Sequence, residues 1–388
     1  MTVYMDHAAT GRLRSEALTE MLPYLSEEFG NPSSLHTPGF HAKNAVQSAR
    51  EKLAGLLNCE INEIYFTSGG TEADNWAIKG YLLANEERGR HVITSAIEHP
   101  AVLRTCEFMK RLGYRLTVLP VREDGTVAPE SVEAAIGPDT ALISIQYANN
   151  EIGTVQPIEE IGAIAERCGV AFHTDAVQAV GTVPMSLSQL PVTMLSAGAH
   201  KFGGPKGTGF LYVKNGTKLE ALMHGGPQEM RMRAGTENVA AAVGMAKALE
   251  LSLAEDYLKV SAVRDYMEQR ILKEIPDVSV NGRRPAADSS LSGEHSRMER
   301  LPGNLNLSFA GVEASALLVY LDLAGIAASG GSACSSAENR PSDVLRAIGV
   351  NEPYLSGTVR FSLGPENTME EADYVVDCLS EIIGKLRH

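Results

Sequence analysis

The chain has 388 residues, 44% of them hydrophobic and 21% charged, enough for two domains or one large α/β body. That excludes a disulfide- or metal-stapled mini-protein and a disordered chain. The 34 basic residues against 48 acidic ones leave a net charge of −14, which argues against nucleic-acid binding and suits a protein that handles small molecules or meets basic patches on partners.

No stretch approaches the ~20 uninterrupted apolar residues of a membrane helix. The opening MTVYMDHAATGRL lacks the basic-then-apolar pattern of a signal peptide. Five cysteines (Cys59, Cys106, Cys168, Cys334, Cys378) are scattered without a C-x-x-C. Neither a zinc site nor a disulfide framework is expected, and reduced thiols in a cytoplasm are the simplest reading.

Residues 42–57 place Ala42, Ala45, Val46, Ala49, Leu53 and Leu56 on one helical face. A β-like run, Ile64–Thr67, precedes a helix from Thr71. The alternation continues with strand His91–Ser95, helix Ala101–Leu112, strand Arg115–Leu119 and helix Pro129–Ile136. Strand Ala141–Ile145, helix Ile158–Arg167 and strand Val170–Thr174 follow. Such alternation predicts a mostly parallel sheet with helices on both faces. A long helical stretch from about Asn238 to Glu274 reads as a bridge out of this body. Strand Asn304–Phe309, helix Glu313–Leu323, strand Thr358–Ser362 and helix Met369–Leu386 then predict a smaller α+β domain. The polar 283–300 segment reads as a solvated surface loop.

In open α/β sheets, ligands bind at the carboxyl ends of strands. Ser68-Gly69-Gly70-Thr71-Glu72 follows the strand IYFT and opens a helix, where backbone N–H groups suit a phosphate. The plainer alternative is an ordinary turn capped by Ser68 or Thr71. Asp175 and Gln178 follow the strand AFHT. Asp175 is either a helix cap or a carboxylate for a protonated ring nitrogen. Lys201 lies between the buried run Met194–Ala199 and the turn Phe202–Gly207. A desolvated lysine there can condense with a carbonyl; the alternative is snorkelling to the surface. His200 reads as a partly buried, satisfied histidine or a ligand contact. Gly330–Ser336 is a run of small residues, hence a mobile loop with an accessible Cys334. The other four cysteines read as packing residues. Lysine, ring-pairing aspartate and phosphate cradle are together what pyridoxal phosphate requires.

At YMDHAAT (4–10), NPSSLH (31–36), FTSGGTEADN (66–75), EHPAV (98–102), ANNEIGTVQPI (148–158), HTDAVQAVG (173–181), AHKFGGPKGTG (199–209), GGPQEMRMRAGTEN (225–238), SGGSACSS (329–336) and VRFSLG (359–364), the chain resembles one known group. It is similar nearly end to end to the NifS/IscS-type cysteine desulfurases, fold-type I pyridoxal-phosphate enzymes of the class V aminotransferase group. The resemblance implies a large domain at 15–250 with a mostly parallel sheet, and a smaller α+β domain made of 1–14 and 251–388.

The resemblance also implies roles. Lys201 holds the cofactor covalently and later takes the Cα proton. Asp175 pairs with the ring nitrogen, Gln178 with the ring oxygen, and His99 stacks on the ring. Gly70, Thr71 and His200 grip the phosphate. Thr236 reaches the phosphate of a neighbouring subunit, implying a homodimer. Asn149 and Arg360 bind the substrate, Arg360 forking onto its carboxylate. Cys334 attacks the sulfur of L-cysteine, leaving a Cys334 persulfide and alanine. The sulfur then passes to a scaffold or carrier protein, for iron–sulfur clusters or for thiolated tRNA and cofactors. The Cys334-to-Pro341 spacing resembles the long-loop subgroup. A selenocysteine lyase, a sulfinate desulfinase, an aminotransferase or a silent scaffold is the competing expectation. The chain departs from the usual pattern at Gly198 (commonly a phosphate-binding Ser), His7 (commonly Asn) and Thr193 (often Asp).

Overall fold

The computed structural model describes residues 2–284, 298–330 and 342–387. In chain order the elements begin with β1 (Val3–Tyr4), α1 (Ser15–Ser26), α2 (Thr37–Leu57), β2 (Ile64–Thr67), α3 (Gly70–Ala84), β3 (His91–Ser95), α4 (Pro100–Arg111), β4 (Arg115–Leu119) and α5 (Pro129–Ala135). They continue with β5 (Thr140–Ser144), α6 (Ile158–Arg167), β6 (Ala171–Asp175), β7 (Met194–Gly198), β8 (Gly209–Val213), α7 (Val239–Leu253) and α8 (Tyr257–Glu274). The rest are β9 (Val278–Asn281), β10 (Asn304–Phe309), α9 (Ala314–Leu323), β11 (Ile326–Ala327), β12 (Ser329–Gly330), α10 (Asp343–Ala347), β13 (Thr358–Ser362) and α11 (Met369–Leu386).

The large sheet has the order β2-β8-β7-β6-β5-β3-β4. Strands β4, β3, β5, β6 and β7 are mutually parallel, and β8 runs antiparallel to both its neighbours. Strands β3, β5, β6 and β7 are buried along their whole length, as expected of a sheet covered on both faces. Successive residues feed opposite cores. Val92, Leu142 and Met194 pack with Trp76 and Val102 from α3 and α4. Ile93, Ile143 and Leu195 pack with Leu53, Ile161 and Leu249 from α2, α6 and α7.

A four-stranded antiparallel sheet, β12-β13-β10-β9, carries a separate core. There Leu305, Leu307, Phe361 and Val359 meet Val263 and Met267 of α8 and Val375 and Leu379 of α11. This is the α/β body with a smaller α+β unit that the alternation of elements predicts.

The helical stretch 238–274 is two helices rather than one. Asp256 ends the run, its side chain accepting the Leu258 N–H to cap α8, the usual preference of Asp for a cap over a helix interior. Helix α7 joins the large core and α8 the small one, so the break falls where the chain changes cores. Helix α1 was not anticipated. Only its Ala17 and Met21 are buried, while Leu18, Leu22 and Leu25 face out, which blurs the helical period. The 283–300 reading is corrected at its end, because Arg300 is buried and pairs with Glu268 at 2.9 Å; residues 285–297 lie outside the described ones. The packing reading fits Cys106, which is buried, but not Cys168, which is exposed just beyond α6.

Candidate active site

Four loops at carboxyl ends of the large sheet converge. The turn after β2 opens α3. Gly69 has φ 146, a conformation open chiefly to glycine. A Cβ on Gly70 would stand 2.4 Å from Val177 Cγ2, so only glycine fits this approach. Helix α3 has Gly69 at its N-cap and no side-chain cap, which overturns the Ser68 or Thr71 capping alternative. Its first N–H groups are left for an anion. Thr71 is exposed beside them. Ideal Cβ positions show that Gly198 at the end of β7 lies against Gly70 N, Val177 and the His200 ring, at 3.5, 3.5 and 3.7 Å. That brings Gly70 and His200 to one cradle. Burial pulls the His200 imidazole down to about 4, and its Nδ1 lies 3.2 Å from Thr10 Oγ1.

Asp175 ends β6 and is buried, with Oδ1 accepting the Val177 N–H at 2.9 Å. The polar atoms of Asp175, His99 and Asp74 all lie within 4.8 Å of one another. Burial raises Asp175 above the ordinary carboxylate range, opposed by His99, the Val177 amide, Lys201 and Asp74. His99 caps α4, its Nδ1 accepting the Ala101 N–H at 3.1 Å. A neutral ring therefore carries its proton on Nε2. Burial lowers this imidazole, opposed by Asp175.

Lys201 closes the turn after β7. Its Nζ donates to the carbonyls of Ala8 and Ala9 at 2.5 and 2.8 Å. Gln178 Nε2 donates to the same Ala8 carbonyl at 3.0 Å. These carbonyls belong to a strap, residues 6–14, that crosses from the small sheet to the Lys201 turn. His7 N–H donates to Ser362 O, Gly11 N–H to His200 O and Arg14 N–H to Gly203 O. The strap was missed as a functional element at the sequence level, because two alanine carbonyls leave no side-chain signal. Within it His7 packs edge-on to Tyr4, with Nε2 buried 3.6 Å from Glu366. A cleft of about 900 Å³ lies on the strap side, lined by His7, Gln178 and Lys201 but not by Asp175 or His99. The small-sheet side of the site is thus open toward the lysine.

Arg360 on β13 is almost wholly buried. It donates to Asn150 O at 2.9 Å and to Asp6 Oδ1 at 2.8 Å, and its Nε has no partner among the described residues. Against those residues three of its five N–H donors are left over, enough for a bidentate carboxylate while Asp6 stays paired. Asn149 is fully buried. Its Nδ2 donates to Ile97 O, and its Oδ1 accepts the Glu151 and Ile152 N–H groups. It holds the turn after β5 and has one amide proton to spare. Thr236 is exposed and joins none of these contacts. It follows Arg233, whose guanidinium pairs with Glu72 at the start of α3. Cys334 lies outside the described residues. A further missed residue is Asp74, a lone acid on the apolar inner face of α3 beside Ala73 and Ala77.

The donor set fits pyridoxal phosphate. An uncapped helix start takes a dianion, a buried carboxylate matches a pyridinium, and a lysine amine matches an aldehyde. Gly198 has φ −130 and ψ 121, which any residue adopts, and its Cβ direction meets nothing closer than 3.5 Å. Gly198→Ser should therefore fit and add one donor to the cradle. The cofactor's dissociation constant should fall about tenfold, the worth of one charge-assisted hydrogen bond. Absorbance titration of the cofactor-free protein measures it, and unchanged or weaker retention would discard this account of position 198.

Comparison with known proteins agrees with the chemistry. The class-V aminotransferase family model matches residues 3–375. The cysteine desulfurase IscS of Dictyoglomus turgidum is 48% identical over 388 residues, covering 99% of this chain and 95% of its own. A solved NifS-like protein superposes with a TM-score of 0.90 at 36% identity, covering 99% of this chain and 100% of its own. The structure of SspA in complex with cysteine superposes at 0.81 and 36% identity, covering 95% and 100%. Sequence, fold and site together place the chain in the class-V aminotransferase family, on its cysteine desulfurase branch.

Proposed function

We propose that the chain converts L-cysteine to L-alanine, leaving a persulfide on Cys334 that is passed to an acceptor protein. The placing of Lys201, Asp175 and His99 beyond the carboxyl ends of β7, β6 and β3, with Asp175 and His99 within 4.8 Å and Lys201 close enough to act on the charge of both, carries this reading. Pyridoxal phosphate, when bound, supplies the sink for electrons released at the amino acid Cα. Lys201 would hold it covalently at rest and, once displaced by the substrate amine, would be free to take the Cα proton on Nζ. Asp175 keeps a negative charge at the ring nitrogen. His99 covers the ring with Nε2–H available for transfer, and Gln178 serves the ring oxygen. The α3 start with Gly70, Thr71 and His200 holds the phosphate. The Cys334 thiolate then attacks the substrate sulfur. An S–S bond forms on Cys334 as the substrate C–S bond breaks, the bond's electron pair stays with the substrate carbon, and protonation of that carbon and of Cα yields alanine.

The finer parts belong to the same reading. Thr236, exposed three residues after the Arg233 that pairs with Glu72, serves the phosphate of a second copy, so the working unit is a homodimer. The domains run 15–250, and 1–14 with 251–388, a division supported by the two separate cores. The acceptor is a scaffold or carrier protein in iron–sulfur or thio-cofactor synthesis, and the compartment is the cytoplasm. Among the described residues no helix is long and apolar enough to cross a membrane.

The deciding experiment incubates the protein with L-cysteine and weighs the peptide that carries Cys334. A gain of one sulfur atom is expected; alanine formed with no such gain would transfer the chain to another reaction on this scaffold.

Arg360→Ala should raise KM for cysteine by roughly 10²-fold with a smaller change in kcat, because the lost fork binds ground and transition states alike. It also leaves Asp6 uncompensated, at about 2–3 kcal/mol of stability. Asp6→Asn should recover part of the stability and none of the KM. Steady-state kinetics with thermal melts check both, and an unchanged KM removes Arg360 from the substrate site.

A further inference from the structure

Behind Asp175 stands a second carboxylate that the reaction scheme does not use. Asp74, on α3, is buried to 1% exposure. Among the described residues its Oδ1 has no hydrogen-bond partner, and His173 Nε2 is 3.7 Å away. His173 is itself committed, with Ser144 Oγ 2.9 Å from Nδ1 and Ser196 Oγ 2.9 Å from Nε2. Burial holds that imidazole neutral, down to about 3, so it brings Asp74 no cation. Two buried carboxyl groups whose oxygens lie within 4.8 Å of each other do not both ionise at neutral pH, and one of them keeps its proton. Asp175 has His99, the Val177 amide and Lys201 to support its charge. Asp74 has the Ser196 hydroxyl within reach and faces the further acid Glu98. The proton therefore rests on Asp74, and burial drives that carboxyl well above its ordinary range.

We propose that Asp74 is a positioning residue that donates a hydrogen bond from its acid O–H to Asp175, fixing Asp175 as the anion that faces the cofactor ring. The proposal rests on the reading of Asp175 as the ring-nitrogen partner. An ionised Asp74 would leave Oδ1 buried with no donor. As an acid, it turns one oxygen into a donor, and Asp175 becomes its acceptor. The groups facing the pair from the packed elements are His173 on β6, Ser196 on β7, Glu98 and His99 before α4, Cys106 on α4 and Lys201 after β7.

Asp74→Asn keeps a neutral donor of the same shape, whereas Asp74→Ala removes it. In Asp74→Ala, cofactor retention should weaken about tenfold, since a buried acceptor loses its partner. The pH midpoint of the visible cofactor band should also move, by roughly half a unit or more. Asp74→Asn should restore both. A raised carboxyl gives stability that is full below its unfolded value and is lost as pH rises through the folded one. The thermal midpoint of the full chain without cofactor should thus fall from pH 5 to pH 9 more steeply in wild type than in Asp74→Asn. Glu98 and Glu151, also raised by burial, contribute equally to both proteins and cancel. A wild-type band and retention in Asp74→Ala, or equal pH slopes in wild type and Asp74→Asn, would overturn the proposal. Asp175→Asn separates the two readings. If it binds cofactor as wild type does, the ring-partner reading fails; if it fails to bind while Asp74→Ala is unaffected, only the coupling falls.

Discussion

Lys201→Ala should lower alanine production by at least about 10³-fold, the scale of losing an acid–base group with its covalent attachment. The reason lies in where the lysine sits. It closes the turn after β7, one residue past His200, with Asp175 close enough to act on its charge. Its Nζ donates to the Ala8 and Ala9 carbonyls. Those acceptors suit an ammonium, and they give the side chain a defined place whenever it is not joined to the cofactor. Lys201→Arg sharpens the test. A guanidinium keeps the charge and can reach the same carbonyls, but it does not deprotonate near neutral pH. It should keep the thermal midpoint near wild type and stay inactive. Activity in Lys201→Arg within about tenfold of wild type would mean that position 201 acts only by its charge. Wild-type turnover in Lys201→Ala would remove the lysine from the chemistry.

Strands β10 and β13 and helix α11 have the bounds that the sequence predicts, because both strands alternate apolar and polar residues between clear turn residues, although every residue of each is buried, and α11 keeps a full helical stripe. The short strands β11 and β12 carry two residues each and leave no period to read. In the site, Lys201 and Asp175 stand out in the sequence because each is a titratable residue placed just where an apolar strand ends, whereas His99, four residues past the end of β3, enters through the family resemblance alone. Asn149 was read as a substrate ligand, yet most of its amide is spent on the turn that carries it. Its burial depends on Ile97 and Glu151, partners that come together only in the folded sheet. Asp74 was illegible for a related reason. Asp74 follows Glu72, the acid in the first turn of α3, and reads with it as one more charge near the positive helix end; only the packing of α3 onto β6 and β7 turns it inward.

Cys334→Ala should keep the yellow cofactor and lose alanine formation from cysteine by at least about 10³-fold, as when a covalent nucleophile is deleted. The described chain leaves off at Gly330 and resumes at Ser342, and both ends are anchored at the site. Ser329 and Gly330 pair with Arg360 and Val359 across β12 and β13. The Ser342 hydroxyl caps α10 and donates to Glu151 at 2.5 Å. Glu151 lies two residues from Asn149, and burial pushes its carboxyl up to about 7. Cys334→Ser should be as inactive as Cys334→Ala, since a hydroxyl cannot make the S–S bond that accepts the sulfur. Both variants should still show the spectral change that follows addition of cysteine, because Lys201, Asp175 and Arg360 are intact. Alanine formation at the wild-type rate in either variant would move the protein to the aminotransferase or selenocysteine lyase alternatives, which have no need of this thiol.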